Sequence, residues 1–437
     1  MTNISFAFQS LNLTFDSLPD VLPGTSRISG DISEEELSNQ MMSGAHVFIE
    51  RKISEALSNR KSQWNRNLSS RAAFEKSIQP NIARFSKSIG LEDGTNRYAD
   101  YHIGFKEVLP KVTMQKYADV GESDIIAETA LYQIFQVRWP SLPGVLGEGL
   151  LLRPKGRIRA NVITIPDAGQ TPEDLVGLTT NIEVKSQFAR HLAENGIQVL
   201  VPLLISRDEI DFGNNQQTYR EWIYRQAFHM GRHIIGFEVQ KVRAAIDWFK
   251  KVDPDLAVGV AGYCEGGLIA YYSAAVDQRI DVVMTSGYFD NRDSIWNEPI
   301  YRNVFGFLDE FGDAEIAAMI APRPLVVEYS HLPSDLISST QKPEVLSESG
   351  SGYKGTLKTP DFASVKNEFD RINEFTGVDF QQRKFICGEN ETPLEFGSEK
   401  ALSEFVRFLA IDQLNPLTST IPEDQRSNFD ARVRQVR

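Results

Sequence analysis

The stretch VAGYCEGGLIAYY, residues 260–272, decides how the rest of the chain is interpreted. A run of small and β-branched residues leads into Cys264, which has glycines close by on both sides, and an apolar, helix-like segment follows. This pattern predicts a strand that turns sharply into a helix, with Cys264 at the turn. It raises the question of whether Cys264 acts as a nucleophile or only fills a tight turn.

A strand that ends in G-x-C-x-G-G and opens a helix has the pattern of a nucleophile elbow, with Cys in the usual Ser position. Side chains flanking the nucleophile would collide in this strained turn, and Gly262 and Gly266 leave room. The helix N-terminus behind Cys264 offers N–H groups and partial positive charge, which favour a thiolate and an oxyanion. Glu265 works against this effect because it places an anion beside the thiol.

Strand-like and helical segments alternate on both sides of this turn from about residue 124. The predicted strands are ETALYQIFQVRW and VLGEGLLLRP, which form a hairpin, and ANVITIP, IQVLVPLLI, LAVGVAGYC, IDVVMTSGYF, PRPLVVEYS and FQQRKFICG. The predicted helices include NIEVKSQFARHLAENG, QAFHMGRHIIGFEVQKVRAAIDWFKK, EGGLIAYYSAAVD and SEKALSEFVRFLA. Short apolar strands separated by helices predict an α/β fold, with a mostly parallel sheet covered on both faces and ligands at the strands' carboxyl ends.

Changes in sequence character divide the chain into three parts. Residues 1–120 are expected to form an N-terminal arm and a small helical lead-in, and residues 121–415 the α/β domain. Residues 416–437 are polar and proline-punctuated, which predicts a linker or a truncated tail. Within the α/β domain, residues 331–360 are rich in Ser, Gly, Lys and Pro, which is typical of a long surface loop.

Composition excludes several classes of function. The net charge of −13 disfavours a nucleic-acid partner, which would call for a basic face. Two cysteines, Cys264 and Cys387, make neither a disulfide framework nor a zinc site, and no metal or cofactor is predicted. No apolar run is long enough for a membrane span. The sequence as given predicts a soluble, cytoplasmic protein, or an exported one if a signal peptide was removed before residue 1.

The chain resembles the α/β-hydrolase superfamily, and within it the dienelactone-hydrolase-like and acetyl-xylan-esterase-like proteins. The motifs that carry the resemblance are VRWPSLPGVLGEGLLLRPKG, TIPDAGQTPEDL, LAENGIQVLVPLLISR, GRHIIGFEVQKV, GYCEGGLIAYYSAAVDQRID, EPIYRNVFGFLDEFGDAEIAAMIAPRPLVVE and FGSEKAL. They are most similar to those of large bacterial proteins with two such modules in tandem. The resemblance therefore implies a second hydrolase module, C-terminal to this chain, as a partner.

The resemblance also assigns catalytic roles where residues match. Cys264 stands at the nucleophile position, and the backbone N–H of Glu265 is the first expected oxyanion donor. The second donor is expected near Ala168, in the PDAGQ loop. The acid of the family follows the strand PRPLVVEYS, where Glu328 and Asp335 are candidates.

The expected triad histidine is absent from its place. In the superfamily it lies between the last strand and the last helix, but here that stretch reads FICGENETPLEFGSEKAL. A carboxylate there, such as Glu389, has too low an ordinary pKa to match a thiol. His331, after the strand that carries the acid, is the candidate for a displaced base.

The other histidines favour structural roles. His229 and His233 lie one helical turn apart, which suggests a metal pair, but no third ligand has suitable spacing, so capping or core roles are favoured. His191 falls within a predicted sheet-covering helix, and His46 and His102 lie in the lead-in.

Four residues are candidates for binding a small molecule or a carbohydrate ester: Asp167, Tyr219, Arg220 and Trp296. Asp167 comes directly after a predicted strand. Tyr219 and Arg220 lie in the polar stretch NNQQTYREWIYR, which fits a carbohydrate pocket and a helix cap equally well. Trp296 lies in an insertion where many hydrolases place a lid, and packing against neighbouring helices is the alternative.

Two hypotheses follow. The first is a thiol-dependent esterase or lactonase, in which Cys264 attacks the carbonyl and a displaced base such as His331 completes the site. The second is a module of the same fold that is inactive in hydrolysis and binds a ligand or supports a second module. We favour the second, because losing a triad base costs orders of magnitude in rate, whereas the fold needs the elbow glycines in any case.

Overall fold

The computed structural model describes residues 24–25, 32–91, 109–116, 118, 121, 123–211, 216–333, 355–376 and 382–426. The chain divides into two compact units, Met1–Ser54 and Glu55–Arg437. Helix α1, Glu34–Asn59, provides most of the described part of the first unit, and none of its side chains is buried.

Two short helices near the start of the second unit belong to its core. Helices α2, Arg71–Ser77, and α3, Gln79–Ser88, precede the sheet. Phe85 of α3 lies edge-on to Tyr272 and Phe311, with ring centroids 4.9 and 5.2 Å away. Helices α2 and α3, which fall within the expected lead-in of residues 1–120, thus pack into the same unit as the α/β elements.

A mixed sheet forms the centre of the second unit. Its strands are β1 (Gln115–Lys116), β2 (Ile125–Glu128), β3 (Tyr132–Leu142), β4 (Val145–Pro154), β5 (Asn161–Ile165), β6 (Gln198–Pro202), β9 (Val258–Tyr263), β10 (Val282–Ser286), β11 (Leu325–Glu328) and β12 (Arg383–Ile386). Within the described residues the order is β1-β3-β4-β6-β5-β9-β10-β11-β12, and β2 also pairs with β3. From β6 to β12 all neighbours are parallel, whereas β1 to β4 pair antiparallel and β4 joins β6 antiparallel. A small separate hairpin, β7 (Glu209–Asp211) and β8 (Gln216–Thr218), follows β6.

Helices cover both faces of this sheet. They are α4 (Pro172–Val176), α5 (Phe188–Glu194), α6 (Tyr219–His229), α7 (Ile234–Val252), α8 (Glu265–Val276), α9 (Phe307–Glu310), α10 (Asp313–Ile320), α11 (Phe362–Arg371) and α12 (Glu399–Arg407). Successive strand residues alternate between two apolar clusters: Ile163 packs with residues of α7 and α8, and Val162 packs with residues of α5 and α12. Because neighbouring strand residues point to opposite faces, the two clusters are the two sides of the sheet. The predicted α/β architecture is confirmed.

The long helix predicted over residues 226–251 is wrong, because two helices replace it. Helix α6 ends at His229, Gly231 takes a left-handed φ of 64°, and α7 begins at Ile234. His233 is the extended N-cap of α7, and its Nδ1 accepts the Ile235 N–H at 3.1 Å. The amphipathic pattern runs on through this turn, so periodicity alone does not reveal the break.

The expected tail packs back on the α/β unit as far as the structure describes it. The Asn415 carbonyl lies 2.8 Å from His191 Nε2, and the Thr420 carbonyl accepts from Arg190 at 2.9 Å. The Gln425 N–H donates to the Ile126 carbonyl at 2.7 Å. Residues 427–437 lie outside the described residues.

Two further findings concern the described residues alone. None of their helices is both long and apolar enough to cross a membrane. Nor do any three or more of their His, Cys, Asp and Glu side chains form a group that could hold a metal ion.

Candidate active site

Cys264 lies at the junction of β9 and α8 with φ 50° and ψ −110°. Residues other than glycine rarely adopt this backbone conformation, so the turn is strained, as at many functional sites. A Cβ on Gly262 would lie 2.0 Å from the Gly266 carbonyl oxygen, and one on Gly266 would lie 2.1 Å from the Ile165 carbonyl oxygen. The two glycines are therefore required by close backbone approach, as the sequence predicted.

Two arginines flank the thiol. Arg207, after β6, and Arg302, in the insertion after β10, each place Nη2 3.7 Å from Cys264 Sγ. In the described part of the chain, no imidazole lies within hydrogen-bonding distance of this sulfur. Cys264 is fully buried. Burial and the nearby Asp167 carboxylate raise the pKa of the thiol well above its ordinary value, although the charges of Arg207 and Arg302 oppose this effect.

The N–H that should serve an oxyanion already has a partner. The Glu265 N–H donates to Asp167 Oδ1 at 3.2 Å, and the Gly169 N–H donates to Asp167 Oδ2 at 2.9 Å. Both Nη atoms of Arg207 bind the same carboxylate. Burial alone would raise the pKa of Asp167, but the charge and hydrogen bonds of Arg207 lower it to about 2. Asp167 is therefore an anion at neutral pH.

Ala168, the second expected oxyanion donor, lies in the same loop. It is buried, and its carbonyl accepts the Arg207 N–H at 3.3 Å. The structure thus brings Cys264, Glu265 and the PDAGQ loop together, with the Asp167 carboxylate between the loop and the elbow.

The Glu265 side chain belongs to a buried ion-pair network. Its carboxylate binds Arg302 Nε and, at 3.2 Å, Arg220 Nη2. Arg220 also binds Glu238 of α7 through two bonds of 2.9 and 3.0 Å. Burial would raise the pKa of Glu265, but the charges of Arg302 and Arg220 lower it. The anion that the sequence placed beside the thiol is thus neutralised by arginines.

The candidate acids and base do not join Cys264. The Glu328 carboxylate accepts from Ser286 Oγ at 2.6 Å and from the N–H groups of Gly397 and Ser398 at 2.8 and 2.9 Å. It thereby ties β11 to the start of α12. His331 is exposed at the rim, and its carbonyl accepts the Tyr263 hydroxyl at 2.9 Å. Asp335 lies outside the described residues.

The four candidate ligand-binding residues lie in different environments. Asp167 borders a cavity of about 750 Å³. Tyr219 lines a separate depression, and Arg220 is fully buried in the ion-pair network. Trp296 is more than half exposed. The structure does not bring these four residues into one pocket.

The remaining histidines are described in part. His233 Nε2 donates to the Asn303 carbonyl at 3.1 Å, since its Nδ1 is the acceptor that caps α7. His191 is buried and His229 is exposed, and His46 pairs with Glu50 on α1. His102 lies outside the described residues. The capping role favoured over a metal pair fits the geometry of His233.

The large cavity lies at the carboxyl ends of the strands, beside the elbow. Most of its lining residues are polar, and Ile182, Leu332 and Phe396 are among the apolar ones. Among the described residues, the lining contains no Lys or Arg. Phe396 stacks on Tyr263 with ring centroids 3.8 Å apart at one side of it. The lining residues are Asp167, Gly169, Gln170, Asp174, Asn181, Ile182, Glu183, Ser186, Tyr263, His331, Leu332, Pro333, Glu395 and Phe396.

Arg207 is the main site residue that sequence reasoning missed. It follows β6 as Asp167 follows β5, and β5 and β6 are parallel neighbours. Because the carboxyl ends of such strands meet at one edge, an Asp and an Arg at these two positions were a usable signal for an ion pair.

The parallel sheet, the strained strand-to-helix elbow and the cavity above it define an α/β hydrolase by fold. Residues 148–310, which include the elbow, match the model of the dienelactone hydrolase family.

Comparison with known proteins finds similarity to several of them. "Putative hydrolase YtaP" of Bacillus subtilis is 28% identical over 130 residues, which are 28% of this chain and 43% of that protein. The chain thus matches less than half the length of this curated relative. Among solved structures, a "putative acetyl xylan esterase" from Bacteroides fragilis is 14% identical with a TM-score of 0.48, covering 84% of this chain and 89% of that one. A glucuronoyl esterase from Teredinibacter turnerae is 11% identical with a TM-score of 0.46, covering 78% and 87%.

Proposed function

We propose that this chain is an α/β-hydrolase module that does not hydrolyse esters through Cys264 and instead binds a ligand in the cavity beside it. One observation carries the proposal: in the described chain Cys264 Sγ has two guanidinium groups and no imidazole within hydrogen-bonding distance. A nucleophile needs a base that removes its proton and later protonates the leaving group. Arginine cannot do so, because it stays protonated in proteins.

The cavity supports the binding part of the proposal. It lies where α/β sheets bind ligands, and its volume suits a small molecule. Its hydroxyl, amide and carboxylate groups and the stacked Tyr263–Phe396 pair suit a neutral, hydroxyl-bearing ligand such as a saccharide. An anionic ligand is disfavoured, because the lining described offers carboxylates and no Lys or Arg.

A thiol-dependent esterase or lactonase remains the second candidate. The observation in its favour is the strained elbow conformation of Cys264, with φ 50° and ψ −110° at the start of α8, which is the backbone position of a nucleophile. His331, the displaced base expected from the sequence, is exposed at the cavity rim.

Turnover of an aryl acetate by the wild type and Cys264→Ala separates the two functions. If the proposal is right, the wild type and Cys264→Ala hydrolyse the aryl acetate at the same rate, which equals the rate in buffer without protein. Turnover that Cys264→Ala abolishes would establish the esterase instead. His331→Ala is the companion variant, because loss of that turnover would identify the base.

Ligand binding has its own test. Saturation-transfer NMR with xylobiose and glucose should show contact with the wild type. Asn181→Ala, on the cavity wall, should weaken it, whereas Gln278→Ala, in a different depression, should not. Absence of transfer from either sugar would contradict binding of saccharides.

A further inference from the structure

The donors around Asp167 are the kinds of group that bind a free anion. Glu265 is the first residue of α8, so its N–H lies at the positive end of a 12-residue helix. The Gly169 N–H and the forked guanidinium of Arg207 complete the set. All of these donors converge on one carboxylate, and that carboxylate is supplied by the chain itself.

We propose that these donors form an anion site at the elbow for a small carboxylate, and that Asp167 is an internal anion that fills it. The proposal rests on the non-hydrolytic function proposed above and adds to it a residue that keeps the oxyanion position closed. A carbonyl oxygen approaching Cys264 must compete for the Glu265 N–H with an ionised carboxylate held by Arg207. A neutral carbonyl is the weaker acceptor of the two.

The site borders a route from solvent. Asp167 is itself part of the cavity lining, although only 1% of its surface is exposed. Removing its side chain therefore joins the donor set to the cavity. Arg302 is not expected to bind an entering carboxylate in place of Asp167, because Glu265 and Glu298 already neutralise its charge.

Alkylation of Cys264 by a charged and a neutral reagent of similar size tests the proposal. Iodoacetate and iodoacetamide react alike: the thiolate forms an S–C bond to the methylene carbon and iodide leaves. In a Cys387→Ser background, Asp167→Ala should raise the ratio of the iodoacetate rate to the iodoacetamide rate about tenfold. Added acetate should suppress the iodoacetate reaction. Greater exposure or a lower thiol pKa would accelerate both reagents and leave the ratio unchanged.

Arg207 provides the matched control. Asp167→Ala/Arg207→Ala should return the ratio to near its value with Asp167 and Arg207 intact, because the guanidinium that captures the reagent's carboxylate is gone. Asp167→Asn keeps the side-chain volume and serves as the second variant if Asp167→Ala does not fold; it should raise the ratio less. An unchanged ratio in the folded single variants, or a raised ratio that persists without Arg207, would overturn the proposal.

Aryl acetate turnover, measured on the same samples, keeps this result separate from the proposed function. Turnover by the wild type would contradict the non-hydrolytic function. The ratio of alkylation rates would still report whether an anion site lies under Asp167.

Discussion

Single side chains of this protein have properties that their neighbours set. Cys264 has the backbone conformation of a nucleophile, yet its thiol is buried, and Asp167 occupies the adjacent donor. His233 has an imidazole with no free nitrogen, because one nitrogen caps α7 and the other binds the Asn303 carbonyl. Residue type alone would suggest chemistry at both positions.

His233 should make stability depend on pH. Burial lowers the pKa of His233 to about 4, below the 6.5 of an unfolded histidine. As the pH falls from 6.5 towards 4, the unfolded state binds a proton that the folded state does not. The contribution of neutral His233 to the free energy of unfolding is therefore complete above pH 6.5. As the pH falls from 6.5 to 4, the free energy of unfolding decreases by on the order of 3 kcal/mol.

Urea unfolding at pH 7 and pH 5 checks this expectation. His233→Asn keeps an N-cap acceptor but cannot be protonated. The wild type should lose more unfolding free energy between the two pH values than the variant does. Equal losses would show that His233 is not the group that titrates.

At the scale of elements, Arg220 connects three helices. It extends from α6 to Glu238 on α7 and Glu265 on α8, and all three side chains are fully buried. Removing one member of a buried ionic network leaves uncompensated charge in the core.

Arg220→Ala should therefore lower the free energy of unfolding by about 3–5 kcal/mol. Arg225→Ala, on the same helix, removes an exposed pair with Glu221 and should cost less than about 1 kcal/mol. Chemical denaturation of both variants measures the difference. Similar losses would mean that the buried network contributes no more than a surface pair.

The elements that sequence predicted and those it missed differ in a physical way. The turn at Cys264 depends on glycines within a few residues of it, so a short stretch of sequence is enough to predict the turn. The break between α6 and α7 depends on His233 as an N-cap, and histidine is outside the usual capping set of Ser, Thr, Asp and Asn. The Asp167–Arg207 pair joins residues 40 apart, and only the order of strands in the sheet brings them together.

At the scale of the whole molecule, helices α2 and α3, which precede the sheet, are part of the second unit. The Phe85 ring is completely buried between α8 and the segment that joins α9 to α10. The sequence predicts only a lead-in at these helices, because their pattern shows an apolar stripe but not the surface that the stripe covers.

Phe85→Ala should lower the unfolding free energy by about 3–5 kcal/mol, as expected for a large buried side chain. Phe305→Ala is the control, since that ring is 85% exposed, and its effect should stay within about 0.5 kcal/mol. Thermal melts of the two variants would show the contrast. A small effect of Phe85→Ala would mean that the helices before the sheet add little to the fold.

The strained turn at Cys264 has a consequence for how such a module changes over evolutionary time. Its glycines are demanded by backbone packing, so selection for stability alone preserves the turn whether or not a reaction takes place there. Under the proposed function, such a scaffold retains the most demanding part of a catalytic site without using it. Under that proposal, few substitutions would separate the module from activity: replacement of Asp167, and a histidine in the loop between β12 and α12, where Asn390 has a left-handed φ of 53°.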